Sequence, residues 1–143
     1  MGPRQQRTTC LPFAGDASPF SMPSGPQENG YDRCERPWGW FETLASGDGY
    51  LVKRLGIRAG RRISLQRHKH RCEHWIVVGG CGELELEGEG IPAAVGTSLF
   101  VPVGAWHRAA AGQEDLLIVE VQRGAELRED DIERIADDFG RAG

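Results

Sequence analysis

The 143-residue chain lacks any apolar run near the roughly 20 residues needed to span a bilayer, so no transmembrane helix is expected. It also lacks an excess of basic charge. A net charge of −4 leaves no broad cationic surface for nucleic acid, and no DNA- or RNA-binding motif is present. The four cysteines, Cys10, Cys34, Cys72 and Cys81, contain no Cys-x-x-Cys pair, and their spacing suggests no disulfide framework. Reduced thiols in a cytoplasmic protein are the economical expectation. The opening Met1-Gly-Pro-Arg-Gln-Gln-Arg7 has no apolar segment of the kind a signal peptide needs. Gln6 stands where an N-myristoylation signal requires Ser or Thr.

What the chain has in excess is glycine. Its 20 glycines are about twice the usual share, and they separate short apolar runs. That pattern predicts many turns and many short strands. The length fits one domain with a hydrophobic core that needs no disulfides. Residues 1–35 are rich in Pro, Gly, Ser and Gln and read as an extended or partly disordered arm, with Leu11, Phe13, Phe20 and Met22 as buriable groups. Residues 36–143 form the predicted domain. Strands are expected over 39–44, 50–57, 62–68, 73–78, 83–87, 98–101, 106–110 and 115–122. Turns are expected at 46–49, 59–60, 88–90 and 112–114. Glu83-Leu-Glu-Leu-Glu87 alternates without a break, so one of its faces is wet. Eight or so such strands predict an all-β, antiparallel jelly-roll barrel. Ile132, Ile135 and Ala136 lie at helical spacing, which predicts a short C-terminal helix over 129–139.

Two stretches offer donors for a metal. The first runs from Gly60 to Gly80 and carries Gln66, His68 and Glu73. The second runs from Gly96 to His107 and passes through the turn Pro102-Val-Gly104. Alternate residues of a strand share a face, so Ser64, Gln66 and His68 point one way and Ile63, Leu65 and Arg67 the other. Likewise Glu73, Trp75 and Val77 oppose His74, Ile76 and Val78. If the polar bend over 69–72 lays the two strands side by side, Gln66, His68 and Glu73 meet as three ligands from one hairpin. His107 then adds a fourth from a later strand. Such nitrogen and oxygen donors suit a divalent cation with positions left for water or substrate. His70 lies in the bend and is a possible alternative ligand or substrate contact. His74 should face outward, and the parity of Cys72 argues against ligation.

These stretches resemble the two cupin motifs. The first follows G-x5-H-x-H-x(3,4)-E-x6-G with Gln66 in place of the first His. The second follows G-x5-P-x-G-x2-H-x3-N with Ala111 in place of Asn. Arg36-Pro-Trp-Gly-Trp40, Ser64 through Trp75, Glu120-Val-Gln122 and the segments Glu129–Ile132 and Asp137–Arg141 resemble type II phosphomannose isomerases. There the segment is the C-terminal domain of bifunctional mannose-1-phosphate guanylyltransferase/mannose-6-phosphate isomerases. The resemblance covers about three-quarters of the chain. It implies a cupin double-stranded β-helix. It also implies an aldose–ketose isomerase that converts mannose 6-phosphate to fructose 6-phosphate through an enediol. A divalent metal, zinc first, would stabilise that intermediate. The donor set does not by itself exclude manganese, iron or nickel. No guanylyltransferase activity is expected, because 35 leading residues cannot supply a nucleotidyltransferase domain.

The proton-transfer group stays open at this level. Glu120 either lies inside the barrel with a raised pKa or is a solvated strand carboxylate. Lys53 shares parity with Leu51, Leu55 and Ile57 and is a second inward candidate. For a phosphate, the candidates are Lys53, Lys69, Arg71 and Arg123. Ile63, Leu65, Ile76 and Val78 oppose the ligand face. Their cover is expected to be the arm, the C-terminal helix or a second subunit, and a homodimer is favoured. Two other functions fit the same residues: a metal cupin of oxygenase or sugar-modifying activity, and a sugar-binding module without turnover.

Overall fold

The computed structural model describes residues 19–22 and 32–142. Eleven strands form two antiparallel sheets. They are β1 (Arg33–Arg36), β2 (Gly39–Gly47), β3 (Tyr50–Ile57), β4 (Leu65–Arg67), β5 (Cys72–Gly79), β6 (Gly82–Leu86), β7 (Glu89–Ala93), β8 (Ser98–Val101), β9 (His107–Ala111), β10 (Leu116–Arg123) and β11 (Glu133–Ala136). The larger sheet runs β1-β2-β3-β10-β5-β8 and the smaller β11-β4-β9-β6-β7. Their inner faces share one core that includes Leu55, Ile57, Val77, Leu84, Ala109 and Ile118. No helix occurs among the described residues, and so none is long and apolar enough to cross a membrane.

Three chain segments behave differently from their sequence pattern. The expected C-terminal helix is absent. Residues 133–136 are instead strand β11, which pairs with β4 through Glu133↔Arg67, Arg134↔Gln66 and Ala136↔Leu65. Helical spacing of three apolar residues is a weak force beside the unpaired edge of β4, whose N–H and C=O groups need partners. The predicted strand over 62–68 shrinks to three residues. Arg62 makes only an isolated bridge to Ala110, and both Ile63 and Ser64 are buried. Ile63 therefore joins the core rather than an outer face. β7 is an additional strand, reached from β6 by the two-residue turn Glu87-Gly88. Both turn residues have positive φ, 50° and 83°, which matches the twist of a tight hairpin. Pro92 disguises this strand in the sequence, yet β7 is a sheet edge, where a proline is tolerated.

The arm lies largely outside the described residues. Within it, Met22 is buried and its backbone N–H donates to Asp115. A side chain at Gly56 would strike both Met22 and Trp40, and one at Gly79 would come within 2.5 Å of the Phe20 ring. Those two glycines are the seats of the arm on the sheet. Beyond them the outer face stays open: Ile76, Val78 and Phe100 are 49%, 43% and 48% exposed. Cys34 and Cys72 are free, as expected. Cys81 is not a reduced thiol but disulfide-bonded.

Candidate metal centre

The polar site occupies one end of the barrel, and the register of the strands places it there. On the larger sheet, cross-strand partners Lys53↔Glu120, Glu120↔Trp75 and Gln122↔Glu73 put their side chains on the inner face. On the smaller sheet, Gln66 is the partner of His107 across β4 and β9. The predicted hairpin of ligands does not exist. β4 and β5 belong to different sheets, so Gln66 and His107 face Glu73 across the barrel interior. The bend at 69–71 is the crossing point between sheets, which the alternation of neither strand could reveal. His68 follows directly after β4.

Ligand-type atoms of His68, Glu73 and His107 all lie within 4.8 Å of one another, and all three residues are buried. Glu73 Oε1 is 2.7 Å from His68 Nε2 and 3.3 Å from His107 Nε2. Even so, Glu73 Oε1 and His107 Nε2 are left without an aligned hydrogen bond among the described residues. Buried, unsatisfied donor atoms converging on one point fit a cation at that point better than a hydrogen-bonded cluster. The far ring nitrogens support this. His68 Nδ1 donates to the Asp131 carbonyl at 2.7 Å, and His107 Nδ1 donates to the Ala105 carbonyl at 2.9 Å. A carbonyl only accepts, so each ring keeps its proton on Nδ1 and presents Nε2 to the centre.

The supports come from turns and tail. Gly104, with φ of 80°, donates its N–H to the His68 carbonyl at 2.9 Å and so ties the turn before His107 to the strand before Glu73. The Asp131 carboxylate accepts the N–H groups of Lys69 and His70, both at 2.9 Å, and holds the bend. Those bonds outweigh the cost of burial and lower the Asp131 pKa. Trp75 packs edge-on against His107 at 5.4 Å and donates its indole N–H to Glu73 Oε2 at 3.3 Å.

Gln66 is half-buried, lines the cavity beside the centre and accepts the Ser64 hydroxyl at 2.9 Å. Glu120 is buried and points inward, which decides between its two sequence readings. Burial raises its pKa well above the usual carboxylate range, and the nearby Glu73 charge pushes the same way; Lys53 and Arg71 offset only part. Burial would also raise Glu73, but its neighbours Glu120, His107 and His68 hold it well below the usual range. Gln122 donates to Glu120 at 3.1 Å. Lys53 is buried beside Glu120 and pairs with the exposed Glu129.

The remaining candidates divide cleanly. Arg71 lines the cavity near His68 and Glu73. Lys69 and His70 are exposed on the bend, and neither belongs to the His/Glu/His group. Arg123 lies outside and donates to His74 at 3.0 Å, while His74 stacks on Phe100 on the outer face. Sequence reasoning missed Arg36, Arg134 and Arg141, which line the same cavity. Arg36 stood in the open, in the motif Arg-Pro-Trp-Gly-Trp. Arg134 was hidden because its segment read as a helix.

A family model described as mannose-6-phosphate isomerase C-terminal matches residues 26–137. The chain belongs to this family. It is 39% identical over 107 residues to a mannose-1-phosphate guanylyltransferase of Escherichia coli K12, a match covering 74% of this chain and 22% of that protein. It is 41% identical over 113 residues to the alginate biosynthesis protein AlgA of Pseudomonas aeruginosa, covering 77% and 24%. The chain thus spans less than a quarter of the length of these relatives. Among solved structures it is similar to Rru_A2000 of Rhodospirillum rubrum, a cupin-2 domain, with a TM-score of 0.64, 21% identity and coverage of 80% and 85%. KdgF of a Halomonas species gives a TM-score of 0.63 at 23% identity, with coverage of 69% and 91%. At that identity these two structures speak for the fold, which is the expected all-β cupin barrel.

Proposed function

We propose that this domain isomerises mannose 6-phosphate to fructose 6-phosphate. The observation that carries the reading is the His68, Glu73 and His107 cluster beside a cavity of about 170 Å³ whose lining includes Gln66, Arg71 and the buried Glu120. Family membership is the support for this choice of substrate. Gln66, His68, Glu73 and His107 would hold a divalent metal, zinc first, which when bound supplies a Lewis acid for the negative oxygen of an enediol.

The chain's own residues would do the rest. Moving hydrogen between C1 and C2 needs one group that removes a proton and returns it to the neighbouring carbon. Glu120 is placed for that task. Its raised proton affinity makes it a stronger base than an ordinary carboxylate once its own proton has left. Lys53, its cross-strand neighbour, stabilises the carboxylate so formed. Gln122 fixes the orientation of the carboxyl. Trp75 and Ile63 keep bulk water from the cavity floor. A cytoplasmic setting and a homodimer formed through the open face at Ile76, Val78 and Phe100 belong to the same proposal.

A coupled assay for fructose 6-phosphate tests it, with chelated and zinc-reconstituted protein side by side. Turnover that vanishes on chelation and returns with metal is the expected result. A folded, metal-loaded sample that leaves mannose 6-phosphate unchanged overturns the isomerase reading. Oxygen uptake, or tight sugar binding without conversion, would then point to the other two functions.

A further inference from the structure

The cavity carries more positive charge than the isomerisation step uses. Lys53 is paired with Glu129, and Arg71 donates to the Arg128 carbonyl and lies 3.7 Å from Glu73, so both are committed to the metal end. Arg36, Arg134 and Arg141 also line the cavity. Arg36 is exposed, so the cavity opens to solvent beside it. Arg141 is held by Asp137 through two bonds of 2.8 and 2.9 Å, so one carboxylate answers one of the three charges. Arg134 has no such carboxylate partner among the described residues. Its Nε is buried and has no hydrogen-bond partner among the described residues. Burial and then the like charges of Arg141 and Arg36 lower its pKa, against the opposing charge of Asp137. A half-buried guanidinium whose buried Nε lacks a partner, beside two other arginines, favours an anion as its neighbour. Its place is also informative. Arg134 pairs with Gln66, and Gln66 with His107, so one cross-strand row runs from the arginine to the metal ligands.

We infer that Arg134, flanked by Arg36 and Arg141, forms an anion subsite at the cavity mouth that takes the phosphate of a sugar phosphate. The guanidinium fork suits phosphate oxygens, and three such groups suit a dianion. The subsite fixes the direction of binding: phosphate outward, C1 and C2 inward toward Glu120 and the metal end. This inference rests on the proposed function for its sugar, but not for its anion.

Calorimetric titration of the full chain with inorganic phosphate, mannose 6-phosphate and mannose tests it. Wild type should bind mannose 6-phosphate more tightly than either fragment. Arg134→Gln should weaken phosphate and mannose 6-phosphate tenfold or more while leaving mannose binding and metal content unchanged. Arg36→Gln should act in the same direction, and since Arg36 is exposed it carries the test if Arg134→Gln fails to fold. Arg123→Gln, on the outer face, should bind as wild type does. Unchanged phosphate affinity in both cavity variants overturns the subsite, as does a wild type that binds no phosphate. Mannose 6-phosphate binding no tighter than phosphate overturns the sugar-phosphate assignment in favour of free phosphate. The isomerase reading fails separately. Arginine-dependent binding without conversion keeps the subsite and removes the isomerase. Conversion with an unchanged KM in both cavity variants does the reverse.

Discussion

Strands β3, β10 and β5 carry two different interiors. Toward one end the inward row reads Leu55, Ile118 and Val77, with Ile57 and Leu116 beyond it. Toward the other it reads Lys53, Glu120 and Trp75, then Gln122 and Glu73. All of these side chains are buried. The alternation is the same in both halves, and only the chemistry changes. The apolar half gains its stability from burial, and its residues are interchangeable within limits of volume. The polar half is costly to bury, because the Glu120 and Glu73 carboxyls are held out of water and Glu73 and His107 keep atoms without an aligned hydrogen bond among the described residues. A barrel can tolerate that cost because the same strands are anchored one row away. The polar end is where the geometry is specific and the stability is spent.

Four substitutions probe this contrast, and the largest effect belongs to the polar end. His107→Ala should lose metal retention and all measurable turnover while the circular dichroism spectrum stays that of a β barrel. Full metal occupancy in this variant would remove His107 from the ligand set. Glu120→Gln keeps the shape of the side chain and removes its proton chemistry. It should cut turnover by about 10²–10⁴-fold with metal content unchanged, and a turnover number near wild type would assign the proton transfer elsewhere.

The next two changes compare neighbours on β5. Val77 is fully buried and Ile76 is 49% exposed. Val77→Ala leaves a cavity in the apolar half and should cost about 2 kcal/mol in urea unfolding. Ile76→Lys should change the stability of the fold by about 0.5 kcal/mol or less. It should also dissociate the proposed homodimer, read by sedimentation at micromolar concentration. A wild type already monomeric there would leave the open face without its second copy.

Part of the candidate site was legible in advance, because motif and parity pick out residues that the fold brings together. Gln66, His68, Glu73 and His107 were chosen by motif and parity, and the structure gathers His68, Glu73 and His107 at one point with Gln66 beside them. Parity also placed Lys53 inward and His74 outward. The errors share a cause. Ile63 was assigned an outer face by extending a two-residue period through a segment that is not regular strand. The helix over 129–139 came from local spacing, and Arg134 was lost with it.

The sequence by itself determined the many short strands, the glycine turns, the inward and outward faces and the donor residues. Each of these follows from the preferences of a few neighbouring residues. Only the tertiary structure decided that the ligands face one another across two sheets, that the tail is a strand capping β4, and that Asp131 holds His68 in register. Those outcomes depend on which backbone edges remain unpaired after the sheets have formed, and on charges brought together from positions up to a hundred residues apart. No local pattern in the chain records either.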